Sequence, residues 1–398
     1  MKDLVLYEYN SIIRNAFCSV ISHLFCVLIS NHCCSFFPYW TGFFTSQAQL
    51  KRLVRSSSAF LHAAWAMQSF AALTQTKDVS DKKAAALNVL WGAVAVTQSH
   101  DGVDGTSPTK TVQDFMTRLK YGIEVASKQL ASLLPAGFVA CPPGRLPMMC
   151  DNTRAGLMPG KKLAVSVTNA LAWTADEWIS LEVPPGTFVV SDGVGSTVAS
   201  QTSPRVNGNS TLLWRATALP PMGTVLYTVT RATPTTAGSS VAATVLPLPA
   251  DGIELSFDAG LTVRVDRQGR LAEVVRNGTH RYPMNVDVLY YKGLPYHARR
   301  LQTSDSSSSG VHSLEPGGTS DDSYDFNPDG NASSAWGLMH FGGALPTPVS
   351  AQYIKGPLHS EVRALLDAKS GIVLSTGLYQ GDDHVNLNVG MGDVPGFA

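Results

Sequence analysis

An excess of charge of either sign is what this sequence lacks. Thirty basic residues stand against thirty acidic ones, and charged residues make up only 15% of 398. A chain without net charge has no broad electrostatic footprint for nucleic acid or for an acidic surface, so its partners do not include nucleic acid. Cysteine is scarce and unevenly placed: Cys18, Cys26, Cys33 and Cys34 crowd the start of the chain, and Cys141 and Cys150 stand apart. Long apolar runs are also wanting. Residues 11–37 come nearest, but Arg14, His23 and His32 interrupt them and no clear small-residue cleavage site follows. A membrane span needs about 20 predominantly apolar residues with no charge near the centre, so the stretch predicts neither a signal peptide nor an anchor. Residues 1–35 are read as an atypical apolar segment.

What is present is turn chemistry: 34 glycines and 23 prolines, with many short apolar runs between them. That profile predicts a secreted, β-rich protein, and the length suffices for two or three domains that each bury a core. Sequons at Asn209, Asn277 and Asn331 agree with passage through the secretory pathway. Cys141 and Cys150 bracket a loop containing three prolines, and a disulfide between them would restrict the unfolded chain in an oxidising compartment.

Helical periodicity comes first along the chain. Leu50, Leu53, Phe60, Ala64, Met67 and Ala71 recur on one face between Gln47 and Leu73. Leu87, Leu90 and Val94 do so between Ser80 and Gln98. Val112, Phe115, Leu119, Ile123, Ala126, Leu130 and Leu133 follow between Pro108 and Leu134, with Pro108 suited to the first turn and Pro135 ending it. A three-helix bundle over residues 36–136 is the expectation, followed by a Cys-bracketed linker over 137–160.

The period then changes to two. Leu163, Val165 and Val167 alternate, as do Ile179, Leu181 and Val183, and then Val225 and Tyr227. Further strands are predicted at 253–257 and 261–265, joined as a hairpin, and at 286–291 and 372–375. Residues 161–398 therefore read as β-sandwich domains, giving an α+β multidomain chain. Residues 303–310 and 317–335, dense in Ser, Gly, Asp and Asn, read as surface loops. Val385, Leu387 and Val389 alternate a few residues before the last residue and predict a strand with no following partner, where the sheet reads as truncated.

The segment with chemistry in it is Thr97-Gln98-Ser99-His100-Asp101-Gly102-Val103-Asp104-Gly105-Thr106, which ends the second helix and sets an imidazole beside a carboxylate. By residue type alone, such a His complements a helix dipole and such an Asp serves a turn. The segment also resembles the His-Asp signature of glycoside hydrolase family 38, the lysosomal-type α-mannosidases, with Ser99 where relatives carry a first His. Tyr39-Trp40-Thr41-Gly42-Phe43-Phe44-Thr45-Ser46 looks like the family segment leading into the first bundle helix, with Gln47 in place of Arg. Asn169-Ala170-Leu171-Ala172-Trp173, Leu219-Pro220-Pro221-Met222-Gly223 and Lys355-Gly356-Pro357-Leu358 with Glu361-Val362 resemble later segments, so the resemblance runs from about Phe36 to Val394.

The resemblance implies a retaining, zinc-dependent hydrolase of α-linked mannose, working on mannose-containing glycans in a lysosome-like compartment. It implies one zinc ligand here, His100, and two sugar contacts, Asp101 and Trp40. The remaining zinc ligands, the nucleophile and the acid/base are expected in an N-terminal catalytic domain absent from this chain, which is expected to be inactive alone. Ser309-Gly310-Val311-His312 departs from the family pattern, which has a tyrosine where His312 stands. His280, His340 and His384 have no ligand-like spacing and receive no role. The alternative is a non-catalytic carbohydrate-binding protein or a degenerate family member; a homo-oligomer and a separate N-terminal polypeptide stay open as partners.

Overall fold

The computed structural model describes residues 2–4, 46–74, 81–133, 138–140, 151–205, 208–232, 240–257, 260–284, 286, 289–290, 333–334, 350–367 and 372–390. Trp40, Cys141, Cys150, Asn331, His312 and the stretch 11–37 lie outside them. Described residues 46–133 form a helical unit, and residues 2–4 with those from 138 onward form a β unit.

The helical unit contains α1 (Ala48–Leu73), α2 (Asp81–Val96), the short α3 (His100–Asp104) and α4 (Thr109–Ala131). The 3.6-residue period decides what each long helix buries. Leu50, Phe60, Leu61, Ala64 and Ala71 of α1 meet Leu87, Leu90 and Val94 of α2 and Val112, Phe115, Leu119, Ala126 and Leu130 of α4 in one apolar core. Each buried Leu, Val or Phe among them contributes about 1.5–3 kcal/mol on leaving water. Gly122 of α4 lets two backbones approach: a Cβ there would stand 2.8 Å from the Leu90 Cα. Pro108 lies just before the helix, and its carbonyl accepts the Val112 N–H at 3.0 Å. Pairs Asp114–Arg118 and Glu124–Lys128 are exposed at i,i+4 spacing, worth about 0.3–0.5 kcal/mol each.

The β unit has twenty-one strands among its described residues: β1 (Lys2–Leu4), β2 (Phe138–Ala140), β3 (Lys162–Thr168), β4 (Ala175–Val183), β5 (Phe188–Ser191), β6 (Thr197–Val198), β7 (Ser200–Pro204), β8 (Ser210–Leu219), β9 (Thr224–Arg231), β10 (Ser240–Ala242), β11 (Thr244–Pro247), β12 (Ile253–Phe257), β13 (Leu261–Val265), β14 (Leu271–Arg276), β15 (His280–Pro283), β16 (Leu289–Tyr290), β17 (Ser333–Ser334), β18 (Ser350–Lys355), β19 (His359–Asp367), β20 (Ile372–Tyr379) and β21 (Asn386–Gly390). One short helix, α5 (Asp151–Gly156), precedes β3.

Nineteen of these strands form two sandwiches, and β16 and β17 pair with each other. In the first, sheet I (β2-β1-β3-β9-β5-β6) faces sheet II (β10-β7-β8-β4). The alternating apolar residues Leu163, Val165, Val167, Ile179, Leu181 and Val183 are all buried, as predicted. Trp214 of β8, fully buried, lies 5.7 Å from the ring of Tyr227 on β9 and so joins the two sheets. In the second sandwich, sheet III (β11-β18-β19-β20-β21) packs on the meander sheet IV (β12-β13-β14-β15). Leu255, Leu261, Val263, Val265 and Leu271 meet Tyr353, Val362 and Leu378 there.

Some strand boundaries differ from expectation. Within the strand foreseen at 286–291, Leu289–Tyr290 is a strand among the described residues, and it pairs with Ser333–Ser334 at the end of a stretch read as loop. Ser333–Ser334 is a short strand in polar sequence and carries no alternation to detect. The 372–375 strand is longer, reaching Tyr379, because Thr376 and Leu378 stay buried on the face of β20 that carries Leu374. β21 is the edge of sheet III, with Leu387 and Val389 exposed.

Candidate functional site

The His-Asp segment is a capped single turn. Ser99 has extended backbone at the α3 N-cap, and its hydroxyl accepts the Gly102 N–H at 3.3 Å. Gly105 closes the turn with φ 83°, and its N–H donates to the Asp101 carbonyl, as does that of Ser107. Both glycines are required by space. A Cβ at Gly102 would fall 2.6 Å from the Thr97 carbonyl oxygen, and one at Gly105 would fall 2.7 Å from the Ser46 hydroxyl.

The turn is anchored on α1 as well as on itself. The Ser46 hydroxyl donates to the Gly105 carbonyl at 2.9 Å, and the Lys51 ammonium donates to the Asp104 carbonyl at 3.4 Å. Partial burial lowers the Lys51 pKa, and nearby Asp104 opposes that shift.

His100 and Asp101 meet as the spacing predicts, with His100 Nε2 3.5 Å from Asp101 Oδ2. The imidazole is 86% exposed and the carboxylate 46%. The hydroxyl of Thr106 contacts Asp101 Oδ1 and, at 2.7 Å, Asp104 Oδ1. It has one hydrogen, so at any instant it donates to one of the two carboxylates. Asp101 is thereby held with one oxygen toward Thr106 and the other toward His100.

Asp104 escaped sequence reasoning. It is buried, its Oδ1 accepts the Thr106 N–H at 3.0 Å, and its Oδ2 is enclosed with no hydrogen-bond partner. The available signal was the two-residue step to Thr106, which is the spacing of an Asx turn.

A zinc ion would meet here one exposed imidazole and one neighbouring carboxylate. Among the described residues no group of three or more His, Cys, Asp and Glu side chains could hold a metal ion. A catalytic zinc takes about three protein ligands and keeps a position open. His100 fits one ligand position, and the described residues do not make up the set.

The segments Asn169–Trp173 and Leu219–Gly223 are structural. Asn169 accepts the Leu171 N–H at 2.9 Å and donates to the carbonyls of Trp173 at 2.7 Å and Leu219 at 3.1 Å. Met222 N–H returns to the Leu171 carbonyl, which ties two of the segments into one corner. Of the sequons, Asn277 sits exposed in the β14–β15 turn at φ 51°, whereas Asn209 is partly buried with its amide donating to Glu182. His280 and His384 are exposed, and His384 stands 3.7 Å from Asp382.

Residues 38–135 match the α-mannosidase middle domain, a span that contains the whole helical unit described above. An α-mannosidase of Arabidopsis thaliana is 24% identical over 397 residues, covering 90% of this chain and 35% of the relative. The epididymis-specific α-mannosidase of Sus scrofa is 27% identical, covering 81% of this chain and 30% of the relative. The lysosomal α-mannosidase of Dictyostelium discoideum is 26% identical, covering 49% and 20%. The chain thus spans about a third, or less, of the length of these relatives.

Proposed function

We propose that this chain, which belongs to the α-mannosidase family, glycoside hydrolase family 38, supplies one edge of a zinc-dependent site that hydrolyses terminal α-linked mannose from glycans. The observation that carries the reading is the capped turn that presents His100 and Asp101 to solvent while burying Asp104 beneath them. His100 would give zinc one imidazole ligand. Asp101 would accept hydrogen bonds from sugar hydroxyls, held in place by Thr106. Trp40, by its motif, would pack a ring face on the sugar. Retention of configuration needs two carboxyl groups roughly 5 Å apart, one nucleophilic and one acidic. These and the other zinc ligands would come from outside the described residues, in this chain or in a second polypeptide. Relatives named lysosomal support a lysosomal or other secretory-pathway location.

A donor set that the described residues do not complete favours a second reading, a glycan-binding protein without turnover. Both are tested on the purified full chain by zinc content and by hydrolysis of an aryl α-mannoside across acidic to neutral pH. The expected result is less than one tightly held zinc per chain and no turnover. One zinc per chain with turnover that His100→Ala abolishes would show a complete site and overturn the proposal that the chain holds only an edge. Zinc-independent mannose binding that survives His100→Ala would favour the second reading.

A further inference from the structure

The two sandwiches of the β unit meet along a seam of polar side chains. Strand register decides which residues reach it. Along β19, Val362, Ala364 and Leu366 face the second core, so His359, Glu361 and Arg363 face the other way. Tyr379 and Gly377 lie opposite His359 and Glu361 on β20. Sheet II answers with Gln201 on β7 and with the paired residues Trp178 of β4 and Arg215 of β8.

Three ties cross the seam. Gln201 is fully buried, and its amide is satisfied at all four positions. Oε1 accepts from the N–H of Leu358 at 2.9 Å and of His359 at 3.0 Å, and Nε2 donates to the His359 carbonyl and the Ser203 hydroxyl, each at 2.9 Å. Gly356 leaves room for it, since a Cβ there would stand 2.1 Å from Gln201 Oε1. Arg363 donates to the Pro204 carbonyl at 2.7 Å while pairing with Glu361. Trp178 donates to Asp382 at 3.1 Å, and its ring centre lies 5.2 Å from that of Tyr379.

Beside these ties sits an imidazole, a group whose ordinary pKa lies near neutrality. The His359 ring, partly buried, stacks on Tyr379 with centroids 4.2 Å apart and lies against Gly377, where a Cβ would fall 2.7 Å from Nε2. We propose that the seam is a proton-sensitive joint: protonating the His359 imidazole draws Glu361 and Asp382 toward it and slackens the Arg363 and Trp178 ties that hold the second sandwich on the first. The two carboxylates able to neutralise an imidazolium are the ones already engaged in those ties.

Every charged group facing the imidazole bears on the balance. Desolvation lowers its pKa from the ordinary 6.5; Glu361 and Asp382 oppose this, and Arg363 adds to it. Burial first, then Glu361 and Asp382, push the Tyr379 hydroxyl up to about 12, so it stays neutral. Across the seam, burial, Asp382 and Asp176 raise the Glu177 carboxyl, while Arg215 holds it down. Asp383 and His384 flank Asp382 in the turn. With its folded pKa below 6.5, His359 binds fewer protons in the closed seam than in an open one. Its stabilisation is complete above 6.5 and is lost as pH falls through the interval beneath it.

Amide hydrogen exchange on the full chain tests this, with rates corrected for intrinsic pH dependence. Between about pH 7.5 and about 5, protection of the Leu358 and His359 amides should fall at least about tenfold, while the Trp214 core stays protected. His359→Gln should remove that fall. A wild-type seam that keeps its protection, or a His359→Gln seam that loses it equally, would overturn the proposal. Should His359→Gln fail to fold, a wild-type His359 ring titrating at or above 6.5 by NMR overturns it equally, and one titrating below 6.5 together with the loss of protection supports it.

Discussion

The helical unit and the β unit treat their polar groups in opposite ways. In the helical unit the chemistry-bearing turn is held by bonds among neighbours: Ser99 to Gly102, Asp101 to Gly105 and Ser107, Asp104 to Thr106. Its imidazole is left in solvent. In the β unit the polar residues that matter are bonded to partners 157 to 204 positions away and are withdrawn from water. A turn closed mainly by its neighbours, with two further bonds from Ser46 and Lys51, presents a ligand at the surface. A seam built from remote partners senses any change of charge within it, because desolvation makes each such change expensive.

The contrast can be broken most strongly at Trp214. Trp214→Ala should destabilise the protein by about 3–5 kcal/mol, since it empties the join between sheets I and II. Chemical denaturation measures the loss, and hydrogen exchange should locate it in the β unit.

Gly105→Ala comes next, at about 1–3 kcal/mol, because a side chain at φ 83° is strained and meets Ser46. Exchange should quicken around Ser99–Ser107 and leave the seam unchanged. Equal loosening in both units would show that they are not held by separate means.

The smallest effect is expected at Glu177. Its raised pKa means that the folded chain holds this proton more tightly than the unfolded one. Its ionisation therefore costs stability above the ordinary 4.5, and the cost disappears on acidification. Glu177→Gln should raise Tm slightly at neutral pH and leave it unchanged below about pH 4. That sign is opposite to His359, so the two substitutions separate the contributions of the two groups to the pH dependence of the seam.

Much of the fold was legible in the chain. The three long helices lie within a few residues of their periodic stretches, and the hairpin strands Ile253–Phe257 and Leu261–Val265 match in full. The His-Asp turn was legible as a motif, and its two glycines carried the signal of tight geometry. Gln201 and Asp104 were not. A polar residue in a strand or turn reads as surface until a partner is found, and the Gln201 partners lie near Leu358. The Lys355-Gly356-Pro357-Leu358 segment was recognisable, but its reason, space for Gln201 over Gly356, is visible only where the two strands meet.

Periodicity, turn residues and short motifs are properties of a few consecutive residues, so the three long helices, the first alternating strands, the neighbouring His100 and Asp101 and the resemblance to a family could be read from the order of residues. Burial is a property of the whole chain. That Asp104 loses its solvent, that Gln201 finds four bonds and that His359 sits where a proton is costly follow from the packed fold alone. Desolvation and charge act through space, on neighbours that the order of residues does not reveal.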